Sequence, residues 1–414
     1  MNLALINIKQ LVTVAAHGMR AKLRADMRDI GLIENAAVLV KDDVITWVGK
    51  MEDLGVGELH EVDVVDCIDN VVMPGFVDAH THLVFAGTRE DEFSLRSAGA
   101  TYSDIASKGG GILNTVRQVR AASKKDLKKQ ARVYLTAMLR HGTTTVEIKS
   151  GYGLTTNDEI KMLEVINELK KEEVIDIVAT FLGAHAYPPE FLDHKAEYVA
   201  EIIDKMLPYV TSHHLAEFCD VFCDRGFFEP DDADKILSAG KQLGLQPKIH
   251  AEELGPSGGS SVAASLGAAS ADHLEHIMPE GIKALANAGV VGVLLPGVSF
   301  FLNHGYAPAR TLIDGGVPVA IASDFNPGSC MSYDMPAMMT IACTHMKMSP
   351  EEAITASTLN AAAAINRSRD IGSIEVGKKA DFVILNLPNY KFLAYHFGEH
   401  QVDKVIKNGV VLEF

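Results

Sequence analysis

The chain has 414 residues, 47% of them hydrophobic and 22% charged, which is typical of a folded protein with room for one large domain and a smaller one. A formal net charge of -16 leaves no basic surface to neutralise phosphates, so we expect no binding to nucleic acid or to an anionic membrane. An anionic small molecule would need a local cation in its site.

The five cysteines form no Cys-x-x-Cys pair and the first residues lack a secretory pattern, so we expect reduced thiols and a cytoplasmic location.

Both ends of the chain are predicted to be β structure. Short apolar runs at residues 37–40 and 44–48 flank a polar turn and favour a hairpin. Three similar runs lie near the other end, at residues 382–385, 402–406 and 410–412. We therefore expect residues 1–72 and 371–414 to join in one small composite β-sandwich.

Between these ends, eight apolar runs alternate with helical patterns. The predicted strands are residues 71–82, 143–149, 176–185, 216–224, 246–252, 270–276, 290–296 and 317–324. Among the helices, residues 125–141 carry an apolar stripe and stop at Gly142, residues 157–171 start from Asn157 as a cap, and residues 230–244 open with proline. Eight alternations over roughly 300 residues fit a (β/α)8 barrel better than an open sheet. The predicted fold is an α/β (β/α)8 TIM barrel over residues 73–370 with a small composite sandwich.

Polar residues recur where the predicted barrel strands end. The first strand ends in His80-Thr81-His82, and residues two apart on a strand share a face, so the two imidazoles would lie side by side. Neutral imidazole is the commonest metal ligand. Four further strands end in polar groups, at His185, at residues 250–253, at Asp272 and His273, and at Asp324. Catalytic groups of such barrels lie on this rim, so the pattern predicts a site.

Three histidines and one carboxylate would satisfy a single first-row divalent or trivalent ion and leave a position for water. Such an ion lowers the pKa of its water to about 7. A hydrolase also needs a group that accepts the proton and delivers it to a leaving nitrogen, and Asp324, Glu253 and His273 are candidates. A hydrogen-bonded core histidine is the alternative for His273. For Glu252, next to Glu253, we expect a solvated side chain.

These residues lie in motifs that resemble the amidohydrolase superfamily. The superfamily motif covers residues 74–82, together with the late Ser323-Asp324 pair. A longer set of motifs resembles the branch of that superfamily that opens the imidazolone ring in histidine degradation. This set comprises residues 80–89, 109–112, 147–153, 181–185, 250–254, 270–274 and 324–329. The motifs span most of the predicted barrel and follow the same order.

The resemblance implies roles for individual residues. One zinc or iron ion per subunit would be held by His80, His82, His250 and Asp324. The substrate would contact Arg89, Tyr102, Tyr152, His185, Glu253, Asn326, Gly328 and Ser329. His273 would polarise the substrate carbonyl, with Asp324 and Glu253 as the other catalytic groups; Glu253 is replaced by Gln in some relatives, which favours Asp324 or His273 as proton carrier. The implied reaction is hydrolysis of 4-imidazolone-5-propanoate, an anionic small molecule, to N-formimidoyl-L-glutamate by a homodimer.

Several alternatives stay open. Two-metal relatives carry a carboxylated lysine on the fourth barrel strand, whereas Lys149 lies on the second, so we expect one metal. A mononuclear deaminase resembling cytosine or guanine deaminases would share the ligand set, but has no obvious need for Arg89 in its place after His82. For Arg89 itself, the alternative is a surface ion pair with an acid among residues 90–92. A metal-free scaffold with this fold would have lost ligands that this chain retains.

Overall fold

The computed structural model describes residues 2–100 and 109–414, and these form two eight-stranded sheets. Strands β1 to β16 are Asn2–Val12, Leu32–Lys41, Val44–Lys50, Asp63–Asp66, Val71–Pro74, Phe76–Asp78, Thr143–Lys149, Asp176–Ala184, Phe218–Cys223, Gln246–Ala251, Ser270–His273, Val291–Leu294, Val319–Ile321, Phe382–Leu385, Val402–Lys407 and Val410–Leu412. Helices α1 to α15 are Glu90–Ser97, Ile112–Ala121, Lys124–Arg140, Thr156–Glu172, Lys195–Glu201, Leu207–Ser212, Pro230–Gln242, Gly259–Leu266, Pro279–Ala288, Pro296–Leu302, Ala309–Gly315, Met335–Met346, Pro350–Ala356, Leu359–Ala364 and Phe392–Tyr395.

The first sheet joins both ends of the chain, as predicted. Its order is β16-β15-β14-β5-β1-β2-β3, with β4 beside β1. The late strand β14 runs antiparallel to β5, and Phe382 stands opposite Pro74. Apolar residues on one face of these strands form a separate buried cluster that includes Leu5, Val38 and Ile384. Strands β2 and β3 form the expected hairpin.

The second sheet is the predicted (β/α)8 barrel. Its eight strands, β6 to β13, are neighbours in chain order, and the pairs are parallel. The first and last strands meet through a bridge between Thr81 and Phe325, just beyond the ends of β6 and β13. There the backbone N–H of Asp324 donates to the carbonyl of His80 at 3.0 Å. The closure of the barrel therefore sets two predicted metal ligands beside each other.

Two details of the predicted elements are wrong. The run 71–82 is not one strand, because the chain passes from β5 in the first sheet to β6 in the barrel at Gly75. A Cβ at Gly75 would lie 2.3 Å from the Thr144 side chain, so the crossing requires glycine. Helix α4 is capped by Thr155, whose hydroxyl accepts from the N–H of Asp158, and not by Asn157. The domain boundaries at residues 73 and 371 stay predictions.

Helices pack around the barrel on apolar faces. Helix α3 buries Leu127, Ala131, Leu135 and Met138, the stripe expected from its sequence. Among the described residues, no helix combines the length and the apolar character needed to span a membrane.

Candidate metal centre and adjoining cavity

The four predicted metal ligands meet at the carboxyl end of the barrel. His80 and His82 follow β6, His250 lies in β10, and Asp324 follows β13. The Nε2 atoms of His82 and His250 are 3.5 Å apart. Oδ1 of Asp324 lies 3.5 Å from Nε2 of His80 and 3.4 Å from Nε2 of His82. All four side chains are buried, so four donor atoms converge away from solvent.

The donor atoms fit one metal ion. Nε2 of His80 and Oδ1 of Asp324 are buried and have no hydrogen-bond partner among the described residues, whereas buried polar atoms are normally paired. A tetrahedral ion with bonds of about 2.1 Å separates neighbouring donors by about 3.4 Å, which matches the three separations of 3.4 to 3.5 Å given above. Burial lowers the pKa of His80 and of His82 well below the usual value, so both rings are in the neutral form that binds metals.

Two carboxylates orient two of the histidine ligands. Nδ1 of His80 lies 2.6 Å from Oδ2 of Asp272, and Nδ1 of His250 lies 3.1 Å from Oδ2 of Asp220. With Nδ1–H donated to a carboxylate, each ring turns its Nε2 lone pair toward the site. Neither carboxylate had a predicted role. For Asp220 the signal available in the sequence was a carboxylate inside an otherwise apolar strand, whereas Asp272 lies in the polar strand Ser270–His273 and had no such signal.

A buried ion network lies beneath the ligands. Nζ of Lys149 in β7 is 2.8 Å from Oε1 of Glu147 and from Oδ2 of Asp220, and 3.6 Å from Oδ2 of Asp272. All four side chains are fully buried. Although burial alone raises it, the pKa of Asp220 is held well below its ordinary value by His250 and Lys149. The ammonium group of Lys149 is thus bound by carboxylates of three strands.

A cavity of about 280 Å³ opens onto this centre. The predicted site residues that line it are His82, Arg89, Tyr152, His185, His250, Glu253, His273, Asp324, Asn326, Gly328 and Ser329. The structure therefore brings to one cavity every predicted substrate contact that it describes. Tyr102, the remaining one, lies outside the described residues.

Arg89 reaches this cavity from the loop that follows β6. Its Nε is 3.0 Å from Oε2 of Glu92, an ion pair foreseen only as the alternative for this arginine. Glu92 also accepts from the N–H of Gly111 at 3.1 Å and from Nδ2 of Asn114 at 3.2 Å. A Cβ at Gly328 would lie 2.4 Å from Nη1 of Arg89, so the guanidinium packs directly on that glycine. Arg89 is therefore both paired and part of the cavity wall.

His185 and Tyr152 form one wall of the cavity. Nδ1 of His185 is 2.9 Å from the carbonyl oxygen of Gly151, which leaves Nε2 for other contacts. Its ring stacks on His82 with centroids 4.8 Å apart. Burial and the neighbouring His250 lower the pKa of His185 to about 3, so it is neutral. The Tyr152 ring lies 5.4 Å from that of His185.

The loop after β13 forms the opposite wall. Oδ1 of Asn326 accepts from the backbone N–H groups of Gly328 and Ser329 at 2.7 and 2.8 Å. Its Nδ2 donates to the carbonyl of Asp324 at 2.7 Å. The Ser329 hydroxyl donates to Oδ2 of Asp324 at 3.4 Å. Asn326 therefore holds the loop in shape beside the metal centre.

His273 and Glu253 border the centre on the far side. One donor atom each of His80, His273 and Asp324 lie within 4.8 Å of one another. Nε2 of His273 is 3.6 Å from Oε2 of Glu253. Burial and the nearby Asp224 raise the pKa of Glu253 to about 8, so this carboxyl can hold a proton at neutral pH.

One expectation at this rim is wrong. Glu252 is 3% exposed and accepts from the hydroxyl of Ser260 at 2.7 Å, so it is a buried residue and not a solvated one. Adjacent residues leaving a strand point to opposite sides, which is why only Glu253 of this pair faces the cavity.

Comparisons with known proteins agree with this geometry. The model of the amidohydrolase family matches residues 71–412. A protein of Geobacillus kaustophilus named imidazolonepropionase is 49% identical over 98% of this chain and 96% of its own length. A protein of Parabacteroides distasonis with the same name is 47% identical over 97% of both chains.

Solved structures show the same fold at lower identity. An atrazine chlorohydrolase from Arthrobacter aurescens complexed with zinc has a TM-score of 0.75 at 17% identity, covering 99% of this chain and 95% of its own. An adenosine deaminase from Xanthomonas campestris with bound zinc has a TM-score of 0.70 at 20% identity, covering 99% and 92%.

Proposed function

The chain belongs to the amidohydrolase family, and within it to the imidazolonepropionases, and from this premise we propose how its residues hydrolyse 4-imidazolone-5-propanoate to N-formimidoyl-L-glutamate. The observation that supports these assignments best is one cavity that joins a guanidinium to a cluster of metal-ligand atoms. The substrate has the matching parts, a propionate at one end and a cyclic amide at the other. A homodimer and a cytoplasmic location stay predictions.

The substrate is bound by its carboxylate and its ring. The Nη atoms of Arg89 grip the carboxylate as a fork, while Glu92 holds the Nε edge of the same guanidinium. The stacked rings of His82 and His185, with Tyr152 beside them, give the imidazolone a flat surface. Glu253 accepts a hydrogen bond from the ring N–H when it is ionised, and donates one to the ring carbonyl when it is protonated.

His80, His82, His250 and Asp324 would hold one zinc or iron ion, since both metals suit imidazole nitrogen with one carboxylate. When bound there, it supplies an activated water at neutral pH and a Lewis acid for the amide carbonyl. The expected stoichiometry is one ion per subunit. Two-metal relatives use a carboxylated lysine, whereas Lys149 lies on another strand and its amine is paired with Glu147 and Asp220.

The remaining steps belong to side chains of the cavity. The Nε2–H group of His273 donates to the amide carbonyl oxygen and so polarises the carbonyl as water adds to its carbon. Asp324 takes the proton of the attacking water at Oδ2, the oxygen that also faces Ser329. The ring C–N bond then breaks, and the proton passes to the departing nitrogen, with Glu253 assisting from the cavity wall.

A deaminase is the second candidate, and the observation in its favour is the shared fold of the adenosine deaminase above. The two reactions differ in their products. Ring opening leaves all substrate nitrogen in N-formimidoyl-L-glutamate, whereas deamination of an aminopyrimidine or aminopurine releases ammonia.

The test is incubation of the purified protein with 4-imidazolone-5-propanoate. The ultraviolet absorbance of the ring should disappear as one equivalent of N-formimidoyl-L-glutamate forms, without ammonia. Cytosine and guanine serve as control substrates and should stay unchanged. Ammonia from either control, with no loss of the imidazolone absorbance, would contradict the proposal.

A further inference from the structure

Glu275 is a buried carboxyl group that the proposed reaction does not use. Its side chain is 1% exposed, and neither of its oxygens has a hydrogen-bond partner among the described residues. Leaving a buried carboxyl without a hydrogen-bond partner in an apolar environment is costly. A residue retained in this state invites a functional explanation.

An unpaired atom of His273 lies close to this carboxyl. Oε2 of Glu275 lies 3.8 Å from Nδ1 of His273, which is itself buried and without a partner in the described part of the chain. The other ring nitrogen, Nε2, faces Glu253 at the cavity. His273 thus stands between an inner carboxyl group and the substrate cavity.

The backbone bends to make this juxtaposition. His273 and Leu274 have φ values of 79° and 70°, a left-handed conformation that is costly for residues with side chains. The turn is fixed by the N–H of Leu274 donating to Ala251 at 3.0 Å and that of His276 donating to Glu252 at 2.8 Å. Two consecutive strained residues carry Glu275 back toward the imidazole two positions before it.

We propose that Glu275 is a positioning residue that fixes the tautomer of His273: its carboxyl group donates to Nδ1, so that Nε2 carries the hydrogen toward the substrate carbonyl. The separation of 3.8 Å is longer than a hydrogen bond, and contacts of this kind commonly tighten when substrate binds. The inference rests on the proposed function, because it explains how His273 can polarise an amide carbonyl while neutral.

The surroundings of Glu275 favour its protonated form. Burial, together with the nearby carboxyl groups of Glu253, Asp324 and Asp224, raises its pKa well above the ordinary value. A protonated carboxyl is an O–H donor, and a neutral imidazole that accepts at Nδ1 must hold its hydrogen on Nε2. That hydrogen is the one that the carbonyl needs.

The test compares Glu275→Met with Glu275→Gln in metal-loaded protein. Methionine keeps the length and removes the donor, so kcat should fall about 10–100-fold with KM little changed. Glutamine can donate an N–H to Nδ1 and should restore kcat to within about threefold of wild type. Glu252→Met is the matched control, because Glu252 is equally buried on the same rim but bonds to Ser260, and its kcat should stay within about twofold of wild type.

A spectroscopic readout separates positioning from general damage. In protein labelled with ¹⁵N-histidine, with His273→Asn for assignment, Nδ1 of His273 should be unprotonated in the wild type and protonated in Glu275→Met. A wild-type Nδ1 that carries hydrogen, or a tautomer unchanged by Glu275→Met, would overturn the inference, as would an unchanged kcat. If the wild type fails to consume 4-imidazolone-5-propanoate, the proposed function is wrong, while the tautomer measurement still decides the role of Glu275.

Discussion

Arg89 uses the two edges of its guanidinium for different partners. Nε is engaged by Glu92, and the Nη atoms lie on the Gly328 backbone at the cavity wall. Replacement of Arg89 by Met keeps the apolar stem and removes the charged fork. Because a hydrogen bond to a charged partner contributes about 1.5–3 kcal/mol, kcat/KM for 4-imidazolone-5-propanoate should fall about 10–150-fold.

The clamp role of Arg89 is separated from a structural one by a second substrate. With an analogue that lacks the carboxylate, Arg89→Met should lose little activity. Arg96→Met is the matched control, because Arg96 also lines the cavity but lies over the Phe301 ring. Equal losses on both substrates would mean that Arg89 supports the loop and does not bind the carboxylate.

His273 should matter for turnover and not for metal binding. Substitution by Ala removes a polarising group next to the reacting carbonyl, and groups of this kind contribute about 10²–10⁴-fold. Kcat should therefore fall within that range, while elemental analysis still finds the metal. A loss of less than tenfold would reduce His273 to a structural residue.

Residues were predictable where the chain itself displayed a pattern. His80 and His82 share a strand end, so their common direction followed from the two-residue period. Asp272 orients His80 from 192 residues away, and no local pattern discloses such a pair. An acid among residues 90–92 was foreseen as a partner of Arg89, but the bonds of Glu92 to Gly111 and Asn114 were not, because they depend on how the segments after β6 fold over the barrel.

At the scale of elements, the barrel strands position the site at their carboxyl ends. Three of them also contribute to a buried ion network beneath it. Lys149 joins strands β7, β9 and β11 through Glu147, Asp220 and Asp272. Removing one partner of a buried charge network leaves uncompensated charge and typically costs about 3–5 kcal/mol. Lys149→Met should therefore lower the free energy of unfolding by that amount in denaturant titrations.

A matched control for Lys149 lies on the outside of the barrel. Lys128 in α3 also bridges two carboxylates, Glu168 and Glu172, but in contact with solvent. Surface ion pairs contribute about 0–1 kcal/mol, so Lys128→Met should be nearly neutral. Similar losses in the two variants would show that burial of the Lys149 network adds nothing to stability.

Strand positions were easier to predict than strand ends. The run 143–149 coincides with β7 because its apolar and β-branched residues stop abruptly at Ser150 and Gly151. At Gly75 the apolar run continues while the chain changes sheets, so hydrophobicity alone gave one strand where there are two. The decisive fact there is the close approach to Thr144, which is a tertiary contact.

At the scale of the whole molecule, composition and alternation were sufficient for the fold. Eight apolar runs separated by helices leave few arrangements other than a closed parallel barrel, and β segments at both ends had to find partners. β14 pairs with β5, so the C-terminal segment is hydrogen-bonded to the strand that directly precedes the barrel. The same strand order sets His80 beside Asp324, so the fold and the candidate metal centre depend on one closure.

The most direct measurement titrates metal-depleted protein with zinc or iron(II) while activity on 4-imidazolone-5-propanoate and bound metal are followed together. Three separations among the four donor atoms are 3.4 to 3.5 Å, the spacing expected around one ion. Activity should therefore rise in proportion to bound metal and stop at about one ion per chain, and His80→Ala should neither bind the ion tightly nor turn over. Full activity without metal, or a rise that continues to two ions per chain, would contradict the account.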